Sequence, residues 1–183
     1  TLGCSLAAAS LPSVRLFAQA PGPLGTLMLT LSTYMAEAAA RQLPAEAIEH
    51  TKLHVLDTFA AMISGSQLPP GQAALRFARA QGGSGAATIV ASNLTAGPIE
   101  AALANGVLAH SDETDDSHGD SQSHPGASVV SAALASGESF GIDGTRFLRA
   151  VALGYDVGPR VTIAMGGVDF RNESHKSTHT IAN

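Results

Sequence analysis

Fifteen consecutive positions, His110 to His124, hold five of the chain's 15 acids and three of its 7 histidines. The segment reads His110-Ser111-Asp112-Glu113-Thr114-Asp115-Asp116-Ser117-His118-Gly119-Asp120-Ser121-Gln122-Ser123-His124 and runs into Pro125-Gly126. Imidazole changes charge near neutral pH, and a carboxylate within reach orients it for proton transfer. A solvated acidic loop is the plain alternative, but it needs neither interspersed histidines nor the apolar segments that flank this one. A divalent metal ion is the second alternative. The spacing matches neither a calcium loop nor H-E-x-x-H, and although His175 and His179 are four apart, Lys176 stands where a metalloprotease carries its glutamate. Acid–base chemistry without a metal is the reading the residues favour. His124 precedes Pro125, a residue suited to the first turn of a helix, so its ring is expected at the positive end of the helix dipole, where the neutral form is favoured. Glu113 or Asp116 is the carboxylate expected to orient or complement it.

Helical periodicity supplies the elements that must hold these groups. A first helix from about residue 26 is expected to bury Leu27, Leu29, Leu31, Tyr34, Met35 and Ala38 and to stop near Leu43-Pro44. In the second helix Ile48, Val55, Leu56, Phe59, Met62 and Ile63 form the expected inner stripe, ended by Gly65 and Pro69-Pro70. A third helix spans Ala73 to Gln81 with Leu75 and Phe77. Ala87-Thr88-Ile89-Val90 is the one plausible strand, and the Gly82-Gly83-Ser84-Gly85 step before it fits no phosphate-loop pattern. Pro98 to Ala109 makes a fourth helix with Ile99, Leu103, Val107 and Leu108 inward. Pro125 to Phe140, apolar nearly all round, makes a central fifth, and Asp143-Gly144-Thr145 opens a sixth carrying Phe147, Val151 and Tyr155. The reactive segment therefore joins the fourth and fifth helices.

The 183 residues suffice for one domain with a real core, and 45% hydrophobic residues exclude an intrinsically disordered chain. Alanine occurs 33 times and aromatics make up 4%, which favours a mainly α protein packed through small side chains. No apolar run is long enough to span a bilayer, so no membrane role is expected. A net charge of −5, with no Lys or Arg from Ala80 to Thr145, gives no footprint for nucleic acid. A single cysteine, Cys4, excludes an intrachain disulfide, a cysteine-ligated zinc site and a thiolate-held iron–sulfur cluster. Residues 1–24 look like a leader or the back half of an export signal closing on Ala18-Gln19-Ala20. On that reading the protein is exported or periplasmic, and otherwise cytoplasmic.

One ordered set of motifs resembles the MmgE/PrpD family. It comprises Asn105-Gly106 followed by His110, the run Asp112 to His118, His124-Pro125-Gly126, Ala132-Ala133-Leu134-Ala135 with Glu138, and Leu153-Gly154-Tyr155-Asp156 with Arg160. Leu56-Asp57-Thr58 fits the start of the family's helical domain, and the resemblance covers about residues 27–183. It implies a helical domain whose α/β lid domain lies outside this chain, homodimerisation, and cofactor-independent lyase chemistry on small polycarboxylates, as in 2-methylcitrate dehydratase and cis-aconitate decarboxylase. Carried over by position, it makes His124, His175 and Glu113 catalytic and gives Asp116, Ser117 and Lys176 to substrate, with no metal. His175 stands between Ser174 and Lys176, where the family has phenylalanine and proline. The family's catalytic lysines fall beyond Asn183, so the chain is expected to be the first part of a longer one, with residues 25–183 a partial helical domain and little activity alone.

The remaining polar residues have plainer expected roles. Asp57 is read as a packing acid, His50 and His54 as surface or packing residues, and Arg160 with Asp156 as an intrahelical pair. Two functional alternatives stand beside the lyase: a non-catalytic helical assembly module and a His/carboxylate metal-dependent hydrolase.

Overall fold

The computed structural model describes residues 22–81 and 85–174. His175 and Lys176 lie outside the described residues, as do residues 1–21 of the expected leader. The chain divides into two units, Thr1–Tyr34 and Met35–Asn183. Helix α1 (Pro23–Ala38) supplies the described part of the first. Leu27, Met28 and Leu29 are exposed there, so the buried face expected for this helix is not seen: the unit has no second described element for it to pack on.

The second unit continues with α2 (Ala45–Gly65), α3 (Pro69–Gln81), β1 (Ala87–Thr88), β2 (Thr95–Ala96), α4 (Pro98–His110), α5 (Pro125–Phe140), α6 (Gly144–Ala164) and α7 (Gly167–Ser174). The protein is mainly α, as expected. Proline and glycine set the boundaries. Pro98 and Pro125 open α4 and α5, where a missing N–H costs nothing, and Gly141 closes α5 at φ 63°. The Asp143 carboxylate caps α6 by accepting from the Arg146 N–H. The expected strand shrinks to two residues, and its antiparallel partner β2 is too short to show a period in sequence.

Helix α4 lies against α2, α3 and α5, and α5 also meets α6. Met62 of α2 shares one buried core with Ala101, Ala104 and Leu108 of α4. A Cβ on Gly65 would fall on the Leu108 carbonyl oxygen, so glycine there allows the two backbones to touch. This reverses part of the expected stripes. Leu56, Ile63, Ile99 and Leu103 are exposed, Ile99 at 78%, because the alanine stripes face the core and turn these larger side chains outward.

Two polar residues of the motif set serve as clamps. Buried Asn105 on α4 donates to the Thr88 carbonyl at 2.9 Å and accepts from the Val90 N–H at 2.9 Å. Glu138 on α5 accepts from both the N–H and the hydroxyl of Thr88. Together they fix the strand on α4 and α5. Arg160 pairs with Asp156 at 2.6 Å within α6, as expected.

Candidate active site

The segment from residue 111 to 124 is folded inward at its middle. Asp115, Ser121 and Ser123 are buried, although the run is among the most polar of the chain. The His118 N–H donates to the Ser123 carbonyl at 2.9 Å, and the Ser121 and Ser123 hydroxyls bond at 2.7 Å. Thr114 donates to Asp112 through both its N–H and its hydroxyl. Together with the Ser64 hydroxyl, the largest influence, these bonds hold the Asp112 carboxyl below its ordinary range. The segment is thus tied to α2 as well as to α4 and α5.

At its centre stands Asp115, whose side chain is 0% exposed. Nδ1 of His110, the last residue of α4, lies 3.2 Å from both Asp115 carboxylate oxygens. Nδ1 of His124 lies 3.3 Å from Asp115 Oδ1 and 3.3 Å from the Asp115 carbonyl oxygen. The two rings meet edge to face at 5.5 Å. His124 is the N-cap residue of α5, as Pro125 predicts, and its side chain makes no capping bond to the helix. Two imidazoles are therefore held on one buried carboxylate by the facing ends of two helices. Such a unit can accept a proton, deliver one, or bind a cation.

Asp116 serves a different set. Its Oδ1 accepts from the Gly126 N–H at 2.9 Å, and its Oδ2 accepts from the Tyr155 hydroxyl at 2.6 Å and lies 3.1 Å from His54 Nδ1. The His54 and Tyr155 rings stack at 4.4 Å. Burial, and then the Asp116 carboxylate that takes its hydrogen bond, push the Tyr155 phenol far above its ordinary range. Gly126 is required here: a Cβ would stand 2.5 Å from Thr58 Oγ1, 2.6 Å from Asp116 Oδ1 and 2.9 Å from the Tyr155 hydroxyl. The glycine after His124-Pro125 lets the loop and α6 close on the first turn of α5.

The sequence-derived residues thus separate. His124 lies at the centre, on Asp115, and neither Glu113 nor Asp116 takes the orienting place expected of one of them. Glu113, at φ 59°, turns into solvent with a side chain 73% exposed and approaches His110 Nε2 at 3.9 Å. Ser117 is exposed on the loop. Asp116 is joined to α2, α5 and α6. Asp115, His110, His54 and Tyr155 stand with His124 and Asp116, beyond the residues that motif and spacing mark. Asp115 and His110 belong to the same polar run, but no spacing in the sequence pairs His54 or Tyr155 with Asp116.

Two cavities adjoin the site, one at His110 and one at Asp116. One of about 300 Å³ lies between α4 and α5 and is lined by Leu103, Val107, Ala127, Ser128 and His110, so one of the two imidazoles opens onto it. The other, about 530 Å³, is lined by Leu53, His54, Leu56, Asp57, Ala60 and Asp116. The described residues bring no Lys or Arg to either lining.

The MmgE/PrpD N-terminal domain matches residues 29–182. A cis-aconitate decarboxylase-like protein, oryM, from Aspergillus oryzae is 29% identical over 154 residues, covering 80% of this chain and 32% of that protein. A cis-aconitate decarboxylase from Aspergillus terreus is 26% identical over 139 residues, covering 73% of this chain and 28% of that protein. The chain thus spans about a third of the length of the curated relatives it matches. Its motif order, its helical architecture and a family match over nearly all the described residues agree, and the chain belongs to the MmgE/PrpD family.

Proposed function

We propose that the chain carries the proton-handling part of a lyase acting on a small polycarboxylate, by dehydration or decarboxylation. The observation that carries the reading is the pair of imidazoles, His110 and His124, on one buried carboxylate, Asp115, beside a cavity between α4 and α5. His124 is the catalytic base or acid and Asp115 holds its ring. In dehydration a base takes the proton from the carbon next to a carboxylate, and the hydroxyl on the neighbouring carbon leaves as water with a second proton. In decarboxylation the carbon–carbon bond to one carboxylate breaks, carbon dioxide leaves, and an acid returns a proton to that carbon. A neutral imidazole serves the first step and an imidazolium the second.

A polycarboxylate also needs cations. Five acids crowd residues 110 to 124, and no Lys or Arg occurs between Ala80 and Thr145, so the cationic partners come from elsewhere in the full-length protein. Lys176, His175, Glu113 and Ser117 are the further groups we assign to substrate and proton transfer, and a homodimer is part of the same proposal. The names of the relatives make cis-aconitate the first substrate to try, with 2-methylcitrate the second. The test is to incubate the full-length gene product with each acid in the presence of a chelator, following carbon dioxide and the unsaturated product. Turnover that survives chelation is expected, whereas turnover abolished by the chelator, or none with either acid, would overturn the reading. The 183-residue chain alone is expected to show little turnover.

A further inference from the structure

We propose that a cavity between the end of α1 and the first turns of α6 binds an aliphatic carboxylate through Arg146 and Arg149. The cavity measures about 410 Å³, within the range of small-molecule sites, about 300–1,000 Å³. Met35 and Ala38 of α1 line it with Ala39 of the following turn, all in the second unit. From α6 come Arg146, Arg149, Ala150 and Leu153, whose spacing places them on one face of that helix. The cavity is thus apolar along its length and cationic towards the start of α6.

Both cations lack a counter-ion. Among the described residues neither Arg146 nor Arg149 enters an ion pair. The nearby acids are otherwise engaged: Asp143 accepts from the Arg146 backbone N–H as the helix cap, and Glu37 pairs with Arg41. Arg149 is half-buried, and its buried Nε–H has no hydrogen-bond partner among the described residues. Its Nη1 donates to the Ala39 carbonyl, which holds the guanidinium at the cavity. The chain carries 15 acids against 10 Lys and Arg, and still these two cations are left without one. A charge partly withdrawn from water and unpaired is unfavourable, and an anion brought to it offsets that penalty. The positive end of the α6 dipole acts in the same sense.

The walls decide what carries the negative charge. Met35, Ala38, Ala39, Ala150 and Leu153 offer neither strong side-chain donors nor rings to stack on, so a sugar or a base finds no match there. A carboxylate on a short aliphatic body suits both halves of the cavity. Its oxygens take charge-assisted hydrogen bonds from guanidinium, and its chain leaves water for the apolar wall. Inorganic phosphate meets only the first condition, and an alcohol of equal length only the second. Neither arginine lines the cavity at His110, so this site is separate from the imidazole pair and independent of the lyase reading.

Hexanoate titrated into the full-length protein by calorimetry should bind at one site, with hexanol and inorganic phosphate each at least about tenfold weaker. Arg149→Gln and Arg146→Gln should each weaken hexanoate at least about tenfold, the loss of one hydrogen bond between charged groups. Arg76→Gln, at an exposed position of α3, should leave binding unchanged, and so should His124→Gln, which separates this site from the imidazole pair. Circular dichroism identifies any variant that fails to fold, and the exposed Arg146 supplies the variant least disturbing to the core. The proposal is overturned if the folded protein binds no hexanoate, if hexanol or phosphate binds as tightly, if His124→Gln abolishes binding, or if neither arginine variant weakens it.

Discussion

Asp115 and Asp116 are adjacent in sequence, and the structure sends their side chains to different partners. Asp115 meets His110 and His124, whereas Asp116 meets Gly126, Tyr155 and His54. Removing the charge of Asp115 takes away what holds both rings, and Asp115→Asn should cost about 1–3 kcal/mol in a denaturant titration, the usual cost of a spoiled buried polar contact. Tyr155→Phe should cost about 1.5–3 kcal/mol, because it deletes a hydrogen bond to a charged acceptor. It also carries a pH signature. The folded chain keeps a phenol proton that the unfolded chain releases near the ordinary value of 10.0. The stability from that raised proton affinity is complete below this value and is lost as the pH climbs through the folded-state value. Denaturation midpoints measured across alkaline pH should fall for the native chain and fall less steeply for Tyr155→Phe.

Helices α4 and α5 end on the two imidazoles, and their mutual placement is the element-scale device of the site. Gly126 lets the first turn of α5 approach Asp116, Thr58 and Tyr155, so Gly126→Ala should destabilise the fold by about 1–3 kcal/mol, read from its thermal or denaturant midpoint. The helix starts and stops were legible because proline and glycine act locally: Pro98, Pro125 and Gly141 fall where the boundaries form. Which face turns inward was less legible. Periodicity weights the large side chains, but the buried positions include Ala61 and Gly65 in α2 and Ala101 and Ala104 in α4, while Leu56 and Ile99 stay outside. The same limit applies in the loop. Pro125 marks His124, but the backbone turn at Glu113 decides which acid reaches it, and no spacing rule contains that turn. The Asp116–Tyr155 bond joins residues 39 apart and is a product of packing.

At the scale of the whole molecule, Leu53, Leu56, Ile63, Ile99, Leu103 and Phe140 remain exposed, more large apolar side chains than two helices and a helix end ordinarily show to water. The chain alone should therefore self-associate as its concentration rises. Sedimentation should report that association, and Leu56→Glu with Ile99→Glu should reduce it; a strictly monomeric native chain would contradict the expectation. The site has a corresponding requirement: its acids need cations, and the curated relatives are about three times the length matched here. In the proposed lyase, His124, held by Asp115, moves the proton. The most direct measurement is steady-state turnover of cis-aconitate by the full-length protein and its His124→Gln variant, with chelator present. kcat should fall by about 10²–10⁴, the usual contribution of a positioned acid or base, with KM little changed. Equal kcat in the two proteins would contradict it.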